Sequence, residues 1–212
     1  MGKAFISVSK PVVTVNAKEL LRELTVDKPN DSRLAMALRQ VIEPRIQEKQ
    51  EELRTKFGSH QVTVELNAGP RAGNTSGTLG GYGNLFSFIG FPAGDKPTEV
   101  ISRTFKEKIK FKVRRTGGAG KYKVTFFIPS LEEIYALTPI PWMTGKSWAK
   151  SIEEGGLTNL GQYLYSSTGF SASNSQTGIQ AKNKSSGVTF NRTPYIGQLI
   201  KDFKRSLLRL DK

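Results

Sequence analysis

Hydrophobic positions along this chain recur with two different periods, and the two periods mark different elements. Between residues 31 and 57 the spacing is helical, with Leu34, Leu38, Val41, Ile42, Ile46, Leu53 and Phe57 on one stripe. Asp31 or Ser32 can cap the start of this long helix and Gly58 can stop it. Pro44 falls inside it, removes one backbone hydrogen bond and predicts a kink. A second helical stripe, Ile196, Leu199, Ile200, Phe203, Leu207 and Leu210, follows Thr193-Pro194, a capping hydroxyl before a proline suited to the first helical position. Lys201, Lys204, Arg205 and Arg209 fall on its outer face. Shorter helices are predicted from Asn16 to Leu24, from Ser130 through Ala136 with Glu133 completing a capping box, and from Ser147 to Glu154.

Elsewhere apolar and polar residues alternate with period two, the signature of a half-buried strand. Residues 61–66, Gln-Val-Thr-Val-Glu-Leu, read this way. So does Phe5 to Val15, where Pro11 confines the strand to a sheet edge. Glu107 to Arg115 and Lys121 to Ile128 flank Gly117-Gly118-Ala119-Gly120, a β-hairpin pattern. Residues 67–97 and 166–190 are rich in Gly, Ser, Asn and Thr and read as extended loops, with the apolar run Leu85 to Phe91 available to tuck against a core or a neighbour. The expected fold is therefore α+β: an antiparallel sheet with a long kinked helix and a carboxy-terminal amphipathic helix packed on it. A single domain is expected over 1–212, with 1–30 as an amino-terminal arm and short helix.

Charge changes the picture more than composition does. The 32 Lys and Arg outnumber 18 Asp and Glu, for a formal net charge of +14. Such a field favours polyanions, acidic protein surfaces or anionic membranes. The chain has no cysteine, which removes disulfides, thiolate zinc sites and thiol nucleophiles. No apolar run approaches the length of a bilayer span, and Met1 to Phe5 lacks the apolar core of a signal peptide, so a soluble protein made in the cytoplasm, without membrane contact, is expected.

Candidate chemistry is sparse. The one histidine, His60, follows a helix and reads as an exposed turn residue. The carboxylate pairs Glu51-Glu52, Glu132-Glu133 and Glu153-Glu154 are neighbours in sequence, so on a helix they point in different directions and read as solvated faces or caps. The glycine-rich stretch 67–83 contains no phosphate-cradle motif. The expectation is a protein that is not an enzyme, with no cofactor and no metal.

The hairpin carries the sharpest pattern. With period two, Lys106, Lys108, Lys110, Lys112 and Arg114 share one face while Ile109, Phe111 and Val113 share the other, and Lys121 and Lys123 continue the basic face on the return strand. Like charges repel along and across strands, so such a ribbon has three readings: a blunted, solvated edge, a dock for an acidic protein, or a dock for phosphates. No helix-turn-helix, zinc finger or RNA-recognition signature accompanies it, so any contact with DNA would be nonspecific.

The carboxy-terminal third resembles the head–tail joining and tail-completion proteins of tailed bacteriophages, the neck or minor virion proteins. The residues that carry the likeness are Pro139-Ile140-Pro141-Trp142, Trp148 ahead of Glu153-Glu154-Gly155, Gly161-Gln162-Tyr163-Leu164, Ser167-Thr168-Gly169, and Gln176-Thr177-Gly178-Ile179-Gln180. Where the family's pattern reads Ser-Arg-Thr-Gly, this chain has Ser175-Gln176-Thr177-Gly178, without the arginine. Thr193-Pro194-Tyr195-Ile196 agrees with a closing helix after a loop. The resemblance implies a structural virion protein assembled in the host cytoplasm, a homo-oligomeric ring of six or twelve copies between the portal-side adaptor and the tail tube or its terminator. Trp142 and Trp148 are then candidate interface anchors, or else core residues. The alternative reading is a basic protein that binds nucleic acid nonspecifically.

Overall fold

A computed structural model describes residues 12–15, 31–80, 84–115, 122–141, 143–154 and 190–209. The fold is α+β, helices with two small antiparallel sheets. In chain order the elements are β1 (Val12–Val15), α1 (Asp31–Ser59), α2 (Gln61–Ala68), a 3-10 turn (Gly69–Arg71), α3 (Leu85–Ile89), α4 (Glu99–Glu107), β2 (Lys110–Arg115), β3 (Tyr122–Phe127), α5 (Leu131–Ala136), β4 (Pro139–Ile140), β5 (Met143–Ser147), α6 (Trp148–Glu154) and α7 (Ile196–Leu207). They group into two compact units; three of the four divisions fall inside α1, α4 and α7, and the fourth falls just before α5.

The first unit comprises Met1–Leu53, Thr104–Ser130 and Ile200–Lys212. Its sheet has the order β1-β3-β2, antiparallel throughout. β1 is an edge strand, as Pro11 before it predicts; Pro11 itself lies outside the described residues. The predicted stripe of α1 is buried at Leu38, Ile42, Ile46 and Leu53, and the helix continues through Pro44. Gln50 Nε2 donates to the Ile109 carbonyl at 3.1 Å, and the Arg39 guanidinium lies 5.7 Å from the centre of the Phe111 ring, so α1 is tied to β2. Phe105, Ile109, Val124, Phe126, Ile200, Phe203 and Leu207 complete the core of this unit.

The second unit comprises Arg54–Arg103 and Leu131–Leu199, and here the structure departs from the sequence reading. Residues 61–66, expected as a strand, form helix α2. Alternation would place Val62, Val64 and Leu66 on one face, yet Val62, Thr63, Glu65 and Leu66 are buried and Val64 is exposed, which is helical burial. Segment 67–97, expected as an extended loop, holds the 3-10 turn and α3, with Thr78, Leu79, Leu85, Phe86 and Ile89 buried. Asn84 caps α3 by accepting from Ser87 N at 2.8 Å, and Gly90 closes it in the left-handed conformation at φ 84°.

α4 is a helix where the sequence reading begins a strand at Glu107. Ile101, Thr104 and Phe105 are buried at helical spacing, and Thr98 accepts from Ser102 N at 3.1 Å at its start. The prolines after α5 do more than end a helix: β4 and β5 form a small hairpin, and Trp148 N donates to the Thr138 carbonyl at 2.9 Å. α5 and α6 fall where predicted, and Ser147 caps α6 by accepting from Lys150 N at 3.1 Å. The short helix expected from Asn16 to Leu24, the loop 166–190 apart from Phe190, and the motifs at 155–180 lie outside the described residues.

Candidate interaction surface and buried polar centres

Two internal carboxyl groups organise the second unit. Glu65 is fully buried on α2, and its two oxygens accept from different backbone donors, Leu85 N at 2.6 Å and Ser76 N at 2.8 Å. One side chain thereby holds both the start of α3 and the turn at Ser76–Gly80. Asn84 Nδ2 donates to the Pro70 carbonyl at 2.9 Å, and Thr98 donates to Asn67. These bonds explain why a glycine-rich stretch with few apolar residues is packed rather than extended: its backbone groups have internal partners.

Glu153 is the second centre. Its Oε1 accepts from Tyr195 N at 2.9 Å and Gly197 N at 2.7 Å, and its Oε2 accepts from the Tyr135 hydroxyl. α7 begins at Ile196, later than Thr193-Pro194 predicts, because this distant carboxylate caps it instead. The Thr193 hydroxyl is 3.4 Å from the Asn191 carbonyl and serves the loop. Glu154, next in sequence, points outward to Lys150 Nζ at 3.5 Å, so the pair diverges as helix geometry requires. Burial, followed by the bond to Glu153, pushes the Tyr135 hydroxyl well above the usual phenol range.

His60 is not the exposed turn residue expected. It is the N-cap of α2: Nδ1 accepts from Val62 N at 3.3 Å, and Nε2 lies 3.1 Å from the Pro194 carbonyl. The acceptor role of Nδ1 places the proton of the neutral ring on Nε2, which donates to Pro194. Its ring packs on Tyr195 with centroids 4.7 Å apart, and Tyr195 in turn stacks on Phe57 at 5.8 Å. The Tyr195 hydroxyl, 2.6 Å from Thr63 Oγ1, is raised by burial.

Burial lowers the His60 pKa; the bond to Pro194 and the charge of Glu153 oppose the shift without overcoming it. A folded-state pKa below the unfolded value of about 6.5 means the unfolded chain binds the proton more readily. Stability is then full above about 6.5 and falls as pH drops toward the folded pKa, because the imidazolium cannot accept from Val62 N. Urea unfolding at steps between pH 7 and 5 is expected to show this fall, and His60→Asn, which keeps a capping acceptor, is expected to flatten it. An equally steep fall in that variant would assign the dependence to other groups.

The predicted basic ribbon is reorganised. Lys106 belongs to α4 and Lys108 to the turn after it, so neither continues the strand face. The reason is the helical burial of Ile101, Thr104 and Phe105, which carries α4 to Glu107. Lys121 lies outside the described residues. What remains is compact: Lys110, Lys112 and Arg114 on β2, all exposed, and Lys123 on β3, half-buried. In the register Lys112 lies opposite Thr125 and Arg114 opposite Lys123, so the four cations share one face. No ion-pair partner for any of them is present among the described residues. Like charges directly opposite cost about 0.2–1 kcal/mol, whereas burying Val124 and Phe126 on the other face contributes about 1.5–3 kcal/mol each, so packing holds this register against the repulsion.

Of the two candidate interface anchors, Trp142 lies outside the described residues and Trp148 is a core residue, 1% exposed, edge-on to Phe91 at 6.0 Å. Its large surface is spent inside the second unit, where α6 begins. Sequence reasoning missed Glu65 and Glu153 as centres. An Asp or Glu beside apolar residues on a short helix is the available signal, but it does not say which distant backbone groups the carboxyl meets. Among the described residues no group of three or more His, Asp or Glu could hold a metal ion, and no helix is long and apolar enough to cross a membrane. Compared with protein-family models, curated proteins and solved structures, the chain matches none.

Proposed function

We propose that this chain is a structural virion protein of a tailed phage, a neck or tail-completion component that joins the head-side connector to the tail through a ring, and that it works by docking rather than by catalysis. One observation carries the structural half of this reading. Glu65, Glu153 and His60, like the Tyr135 and Tyr195 hydroxyls, direct their polar atoms to groups of this chain itself. Groups committed in this way position loops and helix ends; a catalytic acid or base has to face a substrate. The assignment to the neck rests on the resemblance of residues 139–142, 148–155 and 161–180 to head–tail joining proteins.

A head-to-tail contact between copies closes into a ring when its rotation divides the circle. Mass photometry and negative-stain microscopy of the full chain, alone and mixed with head-side connector and tail proteins from the same source, test the proposal. Closed rings of six or twelve copies are expected. A chain that stays monomeric in the presence of both neighbours overturns it.

A further inference from the structure

The basic face of the β2–β3 pair carries its charge without an ion-pair partner among the described residues. Between Lys106 and Lys123 the sequence holds eight Lys or Arg and one Glu, a net +7 and half of the chain's +14. Four of those cations, Lys110, Lys112, Arg114 and Lys123, stand on one face of paired strands without a carboxylate partner among the described residues. We propose that this face binds the phosphate backbone of a nucleic-acid duplex, without reading its sequence.

The spacing and the neighbouring side chains favour a duplex over other anions. Alternate residues of a strand are about 6.8 Å apart, so the row from Lys110 to Arg114 spans about 14 Å, the axial rise of about four nucleotides of one strand. Lys123 on the adjacent strand, about 4.8 Å across, gives the row a second rank. An acidic protein partner would need a desolvated apolar centre to bind stably. Besides the cations, the register places Thr125 and Phe127, both partly covered, and Val12 and Thr14 of β1 on this face, so its apolar residues among the described strands are two, too few for such a centre. A single strand would need aromatic rings on which its bases stack. Phe127 is the one such ring among the described residues of these two strands on this face, and it pairs with Lys110, at the far end from Arg114 and Lys123. Regular cations with few apolar neighbours suit the evenly spaced charges of a duplex, where binding is driven by release of condensed counterions. The inference is independent of ring assembly, because a monomer carries the whole face.

The test is fluorescence anisotropy of the full chain with a random-sequence 30-base-pair DNA duplex, titrated between 50 and 200 mM salt. Neutralising about four phosphates gives a log–log slope of about −3.6, an affinity loss of about 150-fold across that range. Replacing Lys110, Lys112, Arg114 and Lys123 together with Gln is expected to abolish that component of binding. Lys112→Gln alone is expected to reduce the slope by about 0.9, and it serves if the fourfold variant does not fold. The control replaces Lys201, Lys204, Arg205 and Arg209 with Gln, removing the same charge from α7 and the turn after it, and is expected to leave the slope within about 0.5 of the parent. Three results overturn the proposal: basic-face variants that bind like the parent, a control that weakens binding equally, or a polyglutamate chain or a single strand that binds as tightly as the duplex. Tight binding to polyglutamate would mark the face as a dock for acidic protein.

Discussion

Glu65→Gln is expected to destabilise the protein by about 3 kcal/mol, although the two side chains have nearly the same shape. Both oxygens of Glu65 accept, one from Leu85 N at 2.6 Å and the other from Ser76 N at 2.8 Å. An amide offers one acceptor; its NH2 would be turned against a backbone N–H in a site where the residue is fully buried. A buried donor without a partner costs about 1–3 kcal/mol, and here two donors face each other. Against a total stability of about 5–15 kcal/mol, such a loss is readily measured by urea unfolding. Tryptophan fluorescence is a suitable probe, because Trp148 is buried in the same unit. Glu65→Leu, which leaves both N–H groups unpaired, is expected to cost at least as much. A Gln variant within about 0.5 kcal/mol of the parent would mean that the carboxyl does not serve both donors.

Glu153 is expected to tolerate glutamine far better than Glu65 does. Here both backbone donors, Tyr195 N and Gly197 N, converge on Oε1, while Oε2 meets the Tyr135 hydroxyl. Glutamine can keep its oxygen on the two N–H groups and donate its NH2 to the tyrosine oxygen, which has lone pairs to spare. Glu153→Gln is therefore expected to cost about 1 kcal/mol, the difference between a charged and a neutral acceptor at a helix start. Glu153→Ala leaves the start of α7 without its cap and is expected to cost about 2–3 kcal/mol. The Gln variant has a second signature. The charge of Glu153 opposes the lowering of the His60 pKa, so its removal is expected to move the His60 titration, followed by NMR, to lower pH. If Glu153→Gln proves as damaging as Glu65→Gln, the two carboxyl groups are not bonded as described.

The elements that sequence patterning identified share one property: their determinants are local. The stripe of α1, the starts of α5 and α6 just after Ser130 and Ser147, and the period-two runs of β2 and β3 each lie within a window of a few turns or one strand, where 3.6- and 2-residue periods separate cleanly. The edge position of β1 was legible for a similar reason, because a proline excludes a central strand whatever else surrounds it. Residues 61–66 are decided by contacts outside their own window. Over six residues an apolar–polar alternation and one helical face both bury Val62 and Leu66 and differ at Thr63, Val64 and Glu65, and the deciding influence was the His60 cap together with what Glu65 had to reach.

What the sequence by itself determined is the α+β class, the helical stripes, the alternation of cations with apolar residues on the hairpin, and the large positive charge. Tertiary structure alone decided which cations remain together, since Lys106 and Lys108 were claimed by α4 and its turn while Lys110, Lys112, Arg114 and Lys123 were brought side by side through register. It also decided that a glutamate 42 residues away, and not the adjacent threonine, caps the last helix. Periodicity follows from the geometry of one backbone segment; the partner of a buried carboxyl depends on which unsatisfied donors the rest of the chain delivers to it, and no local window contains them.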